Sequence, residues 1–329
     1  MIVGAYPSAP ERSRVDAADF DSFHERIALV TGCSGFEIPF GSAYVPDEES
    51  MLRLLGRGGT HVLTLLPAVL ERGIGLASPE QECRAAAVAL TRRAIAAAAV
   101  VNDQEGRPVI DSVLLQSAPR TSGTSADAAR AAFARSLDEV AREALGGVRI
   151  IVEHCDSFEG PEPAKGFLDL GTELALAARH GFGTAINWGR SYLETRRIDG
   201  PLEHVRRARD AGTLAVLGVS GVSSAATALG PAFSDSHAPV RTERASRSGF
   251  AAGVLDTGVL AGFLRSGPSV PVIAKIAGGE DLLADSVEAA RAVLEPVRGV
   301  VVSGGRRDGA SLPTPSRPRP VHHSLEAKP

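Results

Sequence analysis

The sequence predicts an α/β fold, a (β/α)8 barrel, from three observations. β-prone runs recur eight times along the 329 residues. Most are continuously apolar rather than alternating, as expected of strands covered on both faces in a parallel sheet. Between them lie alanine-rich stretches with helical periodicity, several of them followed by glycine just ahead of the next strand. This repeat of strand, helix, glycine and strand extends over about 300 residues, close to the usual barrel size.

The predicted strands are 1–6 (MIVGAY), 35–40 (GFEIPF), 61–66 (HVLTLL), 112–117 (SVLLQS), 149–154 (RIIVEH), 183–188 (GTAINW), 213–220 (TLAVLGVS) and 271–277 (PVIAKIA). Helical periodicity is clear over 79–102, 126–145, 167–180, 201–211 and 282–297. Ser78, Ser125 and Asp169 stand where N-caps are expected, and Gly146, Gly147, Gly181 and Gly212 where a helix leaves through a left-handed residue. The long interval 221–270 is expected to hold an extended loop before the last strand. A doubly wound open sheet is the competing layout. It calls for a glycine-rich phosphate turn after an early strand, which neither GAYPSAP nor GCSGFE supplies. The barrel is assigned to 1–302, with no internal repeat or linker. Residues 303–329, rich in Pro, Ser and Arg, are expected to be a disordered tail, with His322 and His323 a solvated pair.

Charge excludes little but points away from nucleic acid: 35 basic against 39 acidic residues give a net charge of −4. Cys33, Cys83 and Cys155 are too few and too scattered for a disulfide framework or a zinc finger. The N-terminus lacks a basic region followed by a long apolar run. The most apolar window, 84–101, is broken by Arg92 and Arg93, which suits a helix packed on a core and not a membrane span. The expectation is a cytoplasmic protein with no membrane partner; oligomeric state is left open, a homodimer included.

In a barrel the reacting groups project from the C-terminal ends of the strands. Here those ends carry Tyr6, Glu37, Thr64, Gln116 with Ser117, Glu153 with His154 and Asp156, Asn187 with Trp188 and Arg190, Ser220, and Lys275. A buried strand running into an unpaired carboxylate would cost several kcal/mol or change its protonation. Partners for Glu153 are therefore expected on the other strand ends. His154 follows Glu153 and so faces the opposite side of the sheet, between strand and helix.

The pattern resembles the xylose-isomerase-like TIM barrels, which include sugar isomerases, epimerases and the endonuclease IV type of repair enzyme. Glu153 in IIVEHCD matches their strand 5 glutamate, Glu37 their strand 2 carboxylate, and Asp235 with His237 in FSDSHAP their Asp-x-His. More narrowly, GAYPSAP, EIPF, GLASP, SAPR, VEHCD and INWGRS together look like an actinobacterial family of such barrels without known function. The departures are informative. Asn187 stands where metal-dependent relatives have Asp, Arg190 where a His follows, Gly218 or Ser220 where strand 7 has His, Lys275 where strand 8 has Glu, and Gln116 where strand 4 often ends in His.

The favoured reading is a metal-free site in which Lys275 and Arg190 replace the cation, pairing with Glu153 and polarising a substrate oxygen. A single divalent metal at Glu153 and His237 is the alternative. What the resemblance implies is an isomerase- or epimerase-like enzyme moving a proton next to a carbonyl of a sugar or keto-sugar. Glu153, Lys275 and His237 are the catalytic candidates. Glu37, Gln116, Asn187, Trp188, Arg190, Ser220 and Asp235 are the substrate-binding candidates, with Trp188 able either to stack on a sugar ring or to anchor the core. The competing function is a barrel that binds a carbohydrate or other small metabolite without turnover. A repair nuclease would need several metals and a basic groove, and neither is legible here.

Overall fold

Eight short runs of buried residues pair into one parallel sheet: Ile2–Gly4 (β1), Glu37–Pro39 (β2), His61–Thr64 (β3), Ile110–Leu115 (β4), Arg149–His154 (β5), Gly183–Asn187 (β6), Leu214–Val219 (β7) and Val272–Lys275 (β8). From β2 to β8 each strand pairs with its sequence neighbour, and β8 returns to pair with β1. A parallel bridge between Val3 and Phe36 joins β1 to β2, the Val3 amide donating to the Gly35 carbonyl at 3.0 Å, and the ring closes. The computed structural model describes residues 1–11, 16–55, 59–143 and 145–303, with side chains as far as 295. The expected disordered tail lies outside these residues apart from Ser303.

Among the described residues the outer layer comprises Ala17–Thr31 (α1), Glu48–Leu55 (α2), Leu66–Arg72 (α3), Gln81–Glu105 (α4), Ala126–Val140 (α5), Leu170–His180 (α6), Trp188–Thr195 (α7), Gly200–Asp210 (α8), the single turn Glu243–Ala245 (α9), Thr257–Arg265 (α10) and Glu280–Ser303 (α11). Asp169 caps α6 as expected, accepting the Thr172 amide at 2.9 Å. Ser125 does not cap α5; its hydroxyl bonds Thr121 and Ser122 instead. Ser78 accepts the Glu80 amide, and α4 starts after Glu80. Helix α5 stops at Val140, short of the expected 145, and Gly146 and Gly147 both take positive φ beyond it.

The interval 221–270 is not an extended loop alone. It contains α9 and α10, the latter capped by Asp256, whose Oδ1 accepts the Val259 amide at 2.8 Å. Leu260, Phe263 and Leu264 bury their side chains beneath it, and two glycines in the short run TGVLAGFLR dilute the helical pattern. Helix α4 is long and apolar enough to span a bilayer by composition, but half of its most apolar window is buried inside the molecule.

Two large apolar clusters fill the space between strands and helices, and a smaller one fills the barrel interior. The interior layer is Ile2, Val62, Leu114, Ile151, Ala185, Val216 and Ile273, one inward side chain from each strand except β2. It is the floor on which the mouth residues stand. Truncating Ile151→Ala, at a position with no solvent exposure, is expected to lower unfolding stability by roughly 2–5 kcal/mol in urea denaturation, with an unchanged m-value.

Candidate active site at the barrel mouth

Side chains two residues apart on a strand share a face. One step of two beyond the apolar floor therefore places Gly4, Thr64, Gln116, Glu153, Asn187, Gly218 and Lys275 in the next inward layer, with Glu37 completing it from β2. This layer is polar and almost wholly buried: Glu37, Gln116, Glu153, Asn187 and Lys275 are each under 5% exposed.

The charges there form a chain of alternating sign. Lys275 Nζ lies 2.7 Å from Glu37 Oε1 and 3.4 Å from Glu153 Oε1. Arg190 Nη1 reaches the same Glu153 oxygen at 2.9 Å, and Arg190 Nε lies 3.7 Å from Asp235 Oδ2. Lys165 Nζ closes the series 3.3 Å from Asp235 Oδ2. The second Glu153 oxygen accepts from Gln116 Nε2 at 2.8 Å. Two glycines make room. A Cβ on Gly4 would lie 2.5 Å from Glu37 Oε2, and one on Gly218 would lie 2.7 Å from Asn187 Nδ2. Because Gly4 has no side chain, Glu37 on β2 and Lys275 on β8 meet across the intervening β1.

Burial works against ionising Glu153, but Arg190 and Lys275, with the Gln116 hydrogen bond, outweigh it and hold the carboxyl down at about 2. Burial has the upper hand at Glu37, whose pKa is raised, with Glu153 adding repulsion and Lys275 opposing. Lys275 is buried, yet the two carboxylates raise its pKa and keep it charged. His237 is pushed down to about 4 by burial together with Lys275, Arg190 and Lys165, against the pull of Asp235. It is neutral at pH 7.

His237 adopts φ 51°, a left-handed conformation uncommon outside glycine, and its carbonyl accepts the Ala277 amide at 2.8 Å. That bond ties the Asp235–His237 loop to the strand end just beyond Lys275. His237 Nδ1 stands 3.7 Å from Asp235 Oδ1, outside hydrogen-bond reach. Several buried atoms around the mouth, among them Glu37 Oε2, Gln116 Oε1, Arg190 Nε and His237 Nδ1, make no hydrogen bond among the described residues. The small cavity below them, lined by Glu37, Glu153, Asn187, Gly218 and Lys275, has about 10 Å³, room for one water at most.

The structure thus groups Glu37, Gln116, Glu153, Arg190, Asp235 and Lys275 in one network, with His237 at its edge. Asn187 Oδ1 accepts the Ser220 hydroxyl at 2.8 Å and the Arg190 amide at 3.3 Å, so these two residues brace the start of α7. Trp188 is not at the mouth. It is the first residue of α7, has no exposure, and stacks on Tyr192 at 5.1 Å in the apolar layer outside the sheet. Asp156 ties down its own loop by accepting the Lys165 and Gly166 amides. Lys165 was missed; it lies in the polar segment GPEPAKGF, where nothing distinguishes it from a solvated lysine.

A family model for a domain of unknown function, DUF4862, matches residues 2–271. The chain belongs to that family. Another relative of this DUF4862 chain is the uncharacterized protein STM3670 of Salmonella typhimurium, 32% identical over 228 residues, covering 68% of this chain and 73% of the other. Among solved structures, the 3-keto-D-glucoside 4-epimerase YcjR of E. coli is similar at TM-score 0.54 and 16% identity, over 90% of this chain and 98% of the other. A xylose isomerase-like TIM barrel protein of Mycobacterium smegmatis, in complex with magnesium, is similar at TM-score 0.53 and 13% identity, over 91% and 96%. The fold of the DUF4862 chain is accordingly that of the xylose-isomerase-like barrels, a group that includes sugar epimerases and metal-binding members.

The mouth of this chain does not fit a divalent ion. An ammonium and a guanidinium crowd the Glu153 oxygen that would ligate, and an ion there would meet the charges of Lys275 and Arg190 at close range. Behind β5 the described residues hold a second cluster. His154 Nδ1 pairs with Glu173 Oε2 at 2.6 Å and its Nε2 with Glu194 Oε2 at 2.9 Å, with His204 adjacent. Burial opposes protonating His154, but Glu194 and Glu173 prevail and raise it to about 10.

Replacing Lys275 by Met keeps the volume but leaves Glu37 and Glu153 facing each other. We expect Lys275→Met to lose about 3–5 kcal/mol of stability at pH 7, and the added change Glu37→Gln to restore part of it, in chemical denaturation. His237 has an ordinary pKa of 6.5 and a folded one of about 4. A lowered histidine contributes stability above 6.5 that is lost as pH falls toward 4, because the unfolded chain takes the proton first. Stability should therefore decline across that window, and His237→Gln should flatten the decline.

Proposed function

We propose that this DUF4862 protein is a sugar isomerase- or epimerase-like enzyme that moves a proton next to a carbonyl of a sugar or keto-sugar without a metal at the barrel mouth. The supporting observation is the shared oxygen. Arg190 and Lys275 converge on Glu153 Oε1, two cations standing in for the ion that the resemblance to metal-dependent barrels implies. A carbonyl or enediolate oxygen entering the mouth competes with Glu153 for these two cations. As they turn to the substrate, negative charge developing on its oxygen is stabilised, and Glu153 loses the partners that hold its pKa near 2. The carboxylate becomes a usable base at the moment the substrate needs one. His237, neutral at pH 7, serves as the second acid/base group or as a contact to a hydroxyl. Glu37, Gln116 and Asp235 orient the cations and the substrate hydroxyls.

The fold similarity to an epimerase of 3-keto-glucosides supports the substrate class. One observation favours a second reading, a barrel that binds such a molecule without turnover: the cavity beneath the charges is nearly filled, and Glu153 is fully engaged by its partners. Incubation with aldoses, ketoses and 3-keto-sugars in deuterated water distinguishes the two. Enzymatic proton transfer labels one carbon, and Glu153→Gln is expected to slow labelling by ~10²–10⁴-fold. Thermal stabilisation by a sugar without any label would establish the binding reading and overturn the enzymatic one.

A further inference from the structure

The cluster behind β5 has no part in the chemistry at the mouth. His154 points outward from β5, Glu194 projects from α7 and His204 from α8, and one ligand atom from each lies within 4.8 Å of the others. The side chains of His154 and His204 are 0% and 4% exposed, while Glu194 at 15% forms the route in from solvent.

Each of the three side chains is oriented by a further polar contact. His154 Nδ1 is engaged by Glu173 Oε2 at 2.6 Å, and Glu173 accepts the Ser117 hydroxyl at 2.5 Å. That pairing directs His154 Nε2 at Glu194, as in the carboxylate–histidine–metal arrangement in which an outer carboxylate fixes the ring. His204 has the same design with a hydroxyl: its Nδ1 meets Ser191 Oγ at 3.0 Å, leaving Nε2 3.8 Å from Glu194 Oε1. Glu194 is itself held by the Ser157 amide at 2.8 Å. Each candidate ligand thus presents one atom inward and has a second contact that orients it.

We propose that His154 Nε2, Glu194 and His204 Nε2 bind one zinc ion, with a water as fourth ligand, at a site separate from the barrel mouth; the ion displaces the proton between His154 Nε2 and Glu194, which leaves to solvent. Two imidazoles and a carboxylate suit zinc, with bonds of about 2.0–2.2 Å. Tetrahedral coordination sets ligand atoms about 3.3 Å apart, so His204 Nε2 must move in from 3.8 Å and the 2.9 Å contact between His154 and Glu194 must open slightly. The ion fastens β5 to α7 and α8. The proposal is independent of the reaction assigned to the mouth, since none of its ligands lines the cavity there.

The test uses the full chain, stripped with EDTA and titrated with zinc alone, then separated from free metal and analysed for bound zinc. One zinc per chain is expected, with a rise in Tm of about 5 °C at saturation. His204→Ala and the milder His204→Gln should both lose the zinc and that rise, while Glu153→Gln retains them. Cobalt in place of zinc should show the intense visible absorption of a tetrahedral site. Circular dichroism confirms that at least one His204 variant is folded before its metal content is read. No zinc retained by the parent chain, zinc retained by a folded His204 variant, or zinc lost in Glu153→Gln would each overturn the assignment.

Discussion

A single carboxylate oxygen, Glu153 Oε1, is shared by a guanidinium and an ammonium, and the architecture of the mouth follows from satisfying that contact. Neither cation is affordable alone in a layer this buried. The solution is a series of alternating charge: Glu37, Lys275, Glu153, Arg190, Asp235 and Lys165. Every interior member has an opposite charge on both sides; of the two ends, Lys165 is partly exposed and Glu37 is fully buried against Lys275. Such a network gains little net stability over well-packed apolar groups, because desolvation cancels much of the attraction. Under the function proposed above, it is a stored arrangement of charge, fixed in direction by the strands, that an incoming substrate oxygen would meet.

The glycines belong to the same constraint. Glu37 and Lys275 stand on strands separated by β1. Only a residue without a side chain at Gly4 lets them touch. Gly218 does likewise for Asn187, which in turn anchors the Arg190 amide through Oδ1. The positions of the two cations are thus set by what is missing from β1 and β7 as much as by what is present on β5 and β8.

Much of this was legible in the sequence because a strand has a period of two. Once Ile151 is taken as inward, Glu153 must be inward and His154 outward; the same counting places Asn187, Ser220 and Lys275. All eight strands fall inside the runs that hydrophobicity marks, or overlap them closely. Counting fails where the chain leaves the strand. Trp188 looked like a strand end, but β6 passes into α7 with no intervening loop, and the helix carries the indole into the outer apolar layer. Lys165, Glu194 and His204 were illegible for a related reason: their partners are set by loop and helix packing, which leaves no short-range pattern.

Two elements carry both the mouth and the cluster behind it. On β5, Glu153 and His154 are successive residues facing opposite sides of the same strand. On α7, Arg190 and Glu194 are one helical turn apart and lie on one face. Arg190 grips Glu153 on the inner side, and Glu194 grips His154 on the outer. Strand and helix are therefore clamped twice, once through each wall of the sheet. Arg190 and Glu194 belong to one short helix, so the inner and outer contacts share one backbone. The distance between guanidinium and Glu153 is the quantity on which the mouth's charge balance turns. The two clusters differ in chemistry, but their geometry is one problem, solved by the same four residues on two adjoining elements.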